Sequence, residues 1–122
     1  MDYQRQIDIL HPEKNCFPVT LIGCGGIGSL TALALSKLGC PKITLFDPDI
    51  VEEINIPNQV FRLSDIGEAK VFACKSVIAE FSECEVVAIP SAFDQNHSVS
   101  GIVISAVDTM QSRLIIWEKL RY

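Results

Sequence analysis

The chain carries a glycine-rich turn, Gly23-Cys-Gly25-Gly26-Ile-Gly28-Ser29, and beyond it the charged side chains Asp47, Asp49, Lys70 and Asp108, with Asp47 lying 19 residues after Gly28. Glycines at these spacings suit a phosphate held by backbone. Gly23 permits a tight turn, Gly25 lets N–H groups approach an anion with no Cβ in the way, and Gly28 lets the following helix pack close to the preceding strand. The helix N-terminus adds its partial positive charge. Asp47 stands at the distance where a carboxylate accepts hydrogen bonds from ribose hydroxyls. The pattern calls for a nucleotide and leaves the reaction open.

Those residues need elements to position them. Val19-Thr-Leu-Ile22 reads as a strand, and Ile27, Leu30, Leu33, Ala34 and Leu38 recur at a helical period after the glycines. Gly39-Cys-Pro41 ends that helix, and Lys42-Ile-Thr-Leu-Phe46 forms a second strand delivering Asp47. The polar stretch from Asp47 to Leu63 is long for so small a domain, which marks a functional loop. Ser64 or Asp65 is expected to cap the next helix, with Val71, Cys74, Ile78 and Phe81 on its buried face. Glu85–Ile89 reads as a third strand. The apolar run Gly101–Val107 reads as a fourth, buried on both faces, delivering Asp108 to the sheet's carboxyl edge, where open α/β sheets bind ligands. A last helix spans about Met110 to Leu120 and carries Arg113, read as a structural partner for an acid or a loop, and Trp117, read as core or interface. Residues 1–10 read as a short helical arm, with a two-proline loop after it. The expected fold is α/β: one domain over residues 1–122, a Rossmann-like, mainly parallel sheet with helices on both faces.

The net charge is −5 and no block of like charge occurs, which argues against a nucleic acid or an anionic membrane as the main partner. The N-terminus has no long apolar core, so neither a signal peptide nor a membrane anchor is expected. Five cysteines, Cys16, Cys24, Cys40, Cys74 and Cys84, form no closely spaced pair. They read as reduced thiols of a cytoplasmic protein, with Cys24 and Cys74 as small core hydrophobes. His11 and His97 read as surface residues.

Further segments narrow the class. The doubled loop Gly23-Cys-Gly25-Gly26-Ile-Gly28-Ser29 resembles the GxGGxGS of the ThiF/MoeB/HesA family, the bacterial relatives of ubiquitin-activating enzymes. Asp47-Pro-Asp49-Ile-Val-Glu52 with Asn55 and Gln59 resembles its D-x-D-x-V-E…N-x-x-R-Q segment. Asp65-Ile-Gly67-Glu-Ala-Lys70 is similar to its D-x-G-x-x-K, and Asp108-Thr-Met-Gln-Ser-Arg113 to its D-N-x-x-x-R. Tyr3-Gln-Arg5-Gln6-Ile7 resembles the arm that precedes the fold.

The resemblance implies ATP- and Mg²⁺-dependent adenylation of the C-terminal carboxylate of a ubiquitin-like or sulfur-carrier protein, or of a peptide. It implies that Arg5, Lys70 and Asp108 are the catalytic set. Gly23, Gly25, Gly26, Gly28, Asp47, Asp49, Asn55, Gln59 and Lys70 would hold the nucleotide, and Asp108 would ligate the metal. Arg5 would reach the phosphates of a neighbouring subunit, which implies a homodimer. The family places an arginine just before the glutamine, where this chain has Asn58. Arg62 is the expected substitute. The family's downstream CxxC pairs, acceptor cysteine and crossover loop are not in these 122 residues, so the chain resembles the adenylation half of such an enzyme. The competing classes are a nicotinamide-dependent oxidoreductase domain, which the span from Gly23 to Asp47 also suits, and a non-catalytic nucleotide-binding or dimerising module.

Overall fold

Runs of β-branched and large apolar residues form the strands: β1 (Val19–Ile22), β2 (Lys42–Phe46), β3 (Glu85–Ile89) and β4 (Ile102–Ser105). The helices between and after them are α1 (Gly26–Leu38), α2 (Lys70–Phe81) and α3 (Met110–Leu120). The computed structural model describes residues 1–14, 17–99 and 101–121, and Cys16 lies outside them. The strands pair in parallel in the order β3-β2-β1-β4. The register aligns Ile22 with Phe46 on one side and with Ser105 on the other. The chain winds outward from β1 to β3 and then returns to β1's free side, which opens a crevice between β1 and β4 at their carboxyl ends.

Successive residues of a strand face opposite sides of the sheet. Leu21, Ile43, Leu45 and Val86 face one side, where Ala32 of α1 and Val71, Cys74 and Ile78 of α2 complete the main core. Ile22 and Phe46 face the other, against Phe93 and Ile116 of α3. Helices therefore cover both faces, as expected. No helix among the described residues is long and apolar enough to cross a membrane. Cys24, Cys40, Cys74 and Cys84 are free thiols, and Cys24 and Cys74 are fully buried.

Several local expectations need correction. Most of the apolar stripe expected on α1 does not face the core: Ile27, Leu30, Ala34 and Leu38 are exposed and only Leu33 packs against it, partly buried, while Gly28, Ser29, Ala32 and Ser36 are buried. The helix sits too close to the first turn for anything larger, since a Cβ on Gly28 would stand 1.8 Å from the Gly23 carbonyl oxygen. Proximity outranks hydrophobicity on that face. Residues 4–9 form turns instead of a helix, with the Gln6 side chain donating to the Leu38 carbonyl at 2.8 Å. So short a segment gains too few hydrogen bonds to offset helix nucleation. Strand β4 is half exposed, with Ile102 outermost, because it has β1 on one side and no paired strand on the other among the described residues. Phe81 is half exposed beneath the Lys37 ammonium, and Trp117 is exposed. His97 is partly buried against Phe46 and Phe93, at 4.7 and 5.9 Å between ring centroids, so it is not a simple surface residue.

Helix α2 begins at Lys70 and has no side-chain cap, so neither Ser64 nor Asp65 plays that part. Asp65 instead sits in a 3₁₀ turn, Leu63–Asp65, and takes both ends of the Arg62 guanidinium at 2.9 and 3.1 Å, plus the Arg62 amide at 2.8 Å. Burial alone would raise the Asp65 pKa, but the hydrogen bonds and charge of Arg62 outweigh it and hold the carboxyl below its ordinary 3.8. A depressed folded-state pKa contributes stability that is whole above the ordinary value and is lost as pH falls through the depressed one. Asp65→Asn should therefore lower the urea midpoint at neutral pH and flatten its decline as pH falls below about 5 and on through the depressed pKa. A variant with the wild-type acid slope would contradict this role.

Candidate functional site

A cavity of about 680 Å³ opens where the crevice between β1 and β4 meets the end of β2. That size is within the range of small-molecule sites. Its walls gather residues distant in sequence: Gly23, Gly25 and Gly26 from the first turn, Asp47 and Asp49 after β2, Asn55 and Gln59 from the long loop, Lys70 from α2, and Asp108 and Arg113 after β4. Gly28 lies behind the turn, where its missing side chain lets α1 approach.

Asp47 ties these walls together. Its Oδ2 accepts the Cys24 amide at 2.7 Å, and its Oδ1 accepts the Asp49 amide at 2.8 Å. The Asp49 carbonyl in turn accepts the Lys70 amide at 2.9 Å. The glycine turn, the end of β2 and the start of α2 are thereby joined through consecutive hydrogen bonds. Asp47 is buried and both its oxygens have backbone partners, whereas the Asp49 carboxylate stands exposed at the cavity mouth. No side chain caps α1, so the first-turn N–H groups beside Gly25 and Gly26 are left for whatever occupies the cavity.

Lys70 is the unusual group, because it is only 7% exposed and makes no ion pair with any described residue. A buried ammonium without an anion is costly, and the cavity is where an anion can reach it. Behind it lies Cys24, whose thiol is hydrogen-bonded to Cys74 and buried; these effects, with the Asp47 charge, raise its pKa far above the ordinary value against the opposing pull of Lys70. Such a thiol is not a nucleophile at neutral pH. Burial likewise pushes the Cys84 thiol up to about 11.

The long loop folds into a 3₁₀ turn, Glu53–Asn58. Asn55 Oδ1 accepts the Glu52 amide at 2.8 Å, which leaves its NH₂ group for the cavity. The side-chain oxygen of Gln59 is buried without a hydrogen-bond partner. An orphaned buried acceptor in a cavity wall marks a place for a donor. Asp108 is exposed on the opposite wall, and the N-cap of α3 is Thr109, whose hydroxyl accepts the Ser112 amide at 3.1 Å. The Asp108 carboxylate therefore has no capping duty. Arg113 donates from Nε to the Val107 carbonyl at 3.1 Å, the loop partnership its position suggested.

Among the described residues no cluster of three His, Cys, Asp or Glu could hold a metal unaided. Asp108 could give one oxygen to a Mg²⁺ whose other ligands came from a phosphate chain and water. The structure does not bring Arg5 to the cavity of its own chain. It is exposed in the terminal turns, which pack at the far, C-terminal end of α1, about 20 Å from the glycine turn along that helix. Arg62 is also absent from the cavity: its guanidinium is occupied by Asp65, Ser76 and Glu80, so it does not replace the arginine missing at Asn58. Sequence reasoning missed Ala92 and Phe93, which help to wall the cavity after β3, with Phe46 edge-on to Phe93 at 5.4 Å. Neither lies in a motif, and only their position just beyond a strand's carboxyl end could have signalled them.

The ThiF family profile matches residues 10–119. The chain is 41% identical over 73 residues to a tRNA threonylcarbamoyladenosine dehydratase of Bacillus subtilis, a match covering 58% of this chain and 29% of that protein. It is 34% identical over 86 residues to the adenylyltransferase and sulfurtransferase UBA4 of Candida albicans, covering 70% of this chain and 20% of that one. Among solved structures, E. coli tRNA N6-threonylcarbamoyladenosine dehydratase in complex with ATP superposes with a TM-score of 0.79 at 28% identity, over 86% of this chain and 46% of the other. The chain thus spans less than a third of either curated relative and under half of the solved chain.

The two glycine roles are separable by substitution. A Cβ at Gly25 meets nothing within 4 Å, so Gly25→Ala should leave the unfolding free energy within about 1 kcal/mol of wild type while weakening binding of a nucleoside triphosphate. Gly28→Ala, whose Cβ collides with backbone, should lower the melting temperature or prevent folding. Thermal melts and calorimetric titration of both variants make the check, and full triphosphate affinity in Gly25→Ala would contradict it.

Proposed function

The chain belongs to the ThiF family, and from that premise we propose that its cavity binds ATP with Mg²⁺ and supports adenylation of a C-terminal carboxylate. The acceptor we propose is a ubiquitin-like or sulfur-carrier protein, or a peptide. The observation that carries the reading is Lys70, a buried ammonium with no ion-pair partner among the described residues, beside the uncapped start of α1. A hydride-transfer site has no use for a second fixed positive charge at the phosphates. A polyanion that gains charge on a departing pyrophosphate does.

In this reading the triphosphate lies against Gly25 and Gly26, whose amides and the α1 N-terminus meet its oxygens. Lys70 supplies a point charge there. The ribose hydroxyls, which the spacing assigned to Asp47, go instead to the exposed oxygens of Asp49, because both Asp47 oxygens already accept the Cys24 and Asp49 amides and hold the loop that presents Asp49. Gln59 finds a donor for its orphaned oxygen on the ligand, and Asn55 adds neutral donors. Asp108 would hold Mg²⁺ together with phosphate oxygens; the ion supplies charge neutralisation on the phosphates. The acceptor carboxylate oxygen forms a bond to the α-phosphorus while the bond to the bridging β-phosphate oxygen breaks, releasing pyrophosphate. The described cysteines are all free, as a reducing, cytoplasmic setting would leave them.

Arg5 stands far from its own cavity, so its proposed part is at the phosphates of a second copy in a homodimer. Arg5→Ala should then lower turnover with no change in monomer stability, measured by pyrophosphate exchange beside a melt; wild-type turnover would remove the residue from the scheme. The decisive assay for the whole reading is ATP–pyrophosphate exchange with candidate carrier tails. Lys70→Ala and Asp108→Ala should each reduce exchange by about 10²-fold or more. Tight ATP binding with no exchange for any carrier would favour a binding module.

A further inference from the structure

We infer that Arg113 binds the carboxylate that is to be activated. The inference rests on the adenylation reading above and adds to it the residue that recognises the second substrate. A carboxylate and an α-phosphate are both anions, and bringing them into contact in a partly desolvated cavity raises their repulsion. A cation on the nucleotide alone neutralises one of them. The cavity walls hold two basic side chains, Lys70 on α2 and Arg113 on α3. Neither has a carboxylate partner among the described residues.

The geometry separates their duties. Lys70 is buried on the side of the glycine turn, whereas Arg113 is exposed and lies five residues beyond Asp108. Its Nε is anchored to the Val107 carbonyl at 3.1 Å, which fixes the guanidinium plane and leaves its two NH₂ groups uncommitted. A planar pair of donors matches the two oxygens of a carboxylate. Arg113 also lines a smaller groove, with Ser105, Ile116, Trp117 and Leu120, that adjoins the cavity. An extended tail arriving along that groove meets the guanidinium before it meets the phosphates. The groove's apolar walls suit the body of the tail, and Arg113 suits its charged end.

The test uses the whole chain saturated with Mg²⁺ and α,β-methylene-ATP, whose α–β bridge the carboxylate cannot displace, labelled with ¹⁵N at arginine Nε. N-acetylglycylglycine is the probe and its C-terminal amide the control. The carboxylate should shift the Arg113 Nε resonance and the amide should not. Arg113→Gln should weaken the carboxylate about tenfold while α,β-methylene-ATP affinity stays within about twofold, and Arg113→Lys should recover part of the loss. An unmoved Arg113 resonance, an equal shift with the amide, or an equal loss of probe and nucleotide affinity in Arg113→Gln would overturn the inference. Failure of α,β-methylene-ATP itself to bind the wild-type chain would instead strike the nucleotide reading on which it rests.

Discussion

The carboxylate of Asp47 determines where the rest of the cavity sits. Its oxygens hold the amides of Cys24 and Asp49, and through the Asp49 carbonyl the same linkage reaches the amide of Lys70. The first glycine turn, the end of β2 and the first residue of α2 therefore share one anchor, although they span positions 24 to 70. It adds to the Gly23 amide's bond to the Phe46 carbonyl and to the Val60 amide's bond to the Ser29 hydroxyl, which also hold the glycine turn and the first turn of α1 against the end of β2 and the long loop. The loop's own bonds, Val51 to Glu68 and Gly67 back to Val51, then close it onto the start of α2. A small domain can in this way carry a loop of that length without losing the position of a lysine at its end.

Two fits of different kind meet at this anchor. One is steric: α1 approaches β1 so closely that its fully buried positions are glycine, serine and alanine, with Leu33 and Leu35 only partly buried beside them and Ile27, Leu30 and Leu38 exposed. The other is electrostatic. A chain with a net charge of −5 keeps two basic groups in one cavity with no acidic partner among the described residues, while Arg62 and Arg121 on other surfaces have one. A general acidity that favours solubility coexists with a local positive field, because the field is set by which few charges are left uncompensated.

How much of this was legible in the sequence depended on the range of the interaction. Strands β1, β2 and β3 and the ends of α1 and α3 follow from local composition and from Gly39 and Pro41, and they stand where the residues indicated. The cavity set from Gly23 to Asp108 was legible as a group because the parallel order brings the carboxyl ends of the strands together. The buried face of α1 was not legible, since the close approach that selects small residues is a tertiary fact. Nor was the fate of Arg62, whose partners Asp65 and Glu80 lie across a turn and along a helix. The half-exposed edge of β4 escaped for the same reason: an apolar run does not reveal how many neighbours a strand has. Phe93 and His97 show the limit most clearly, because their edge-on packing against Phe46 depends on a loop without any sequence signature.

The central claim is that the ammonium at position 70 meets a polyphosphate against the glycine turn. Calorimetric titration of the wild-type chain and of Lys70→Met with ATP–Mg²⁺ and with NAD tests it most directly, since methionine keeps much of the side chain's length without its charge. The account predicts that the wild type prefers ATP–Mg²⁺ and that the substitution removes most of that preference, with little effect on NAD. Equal affinity of both proteins for ATP–Mg²⁺, or tighter binding of NAD by the wild type, would contradict it.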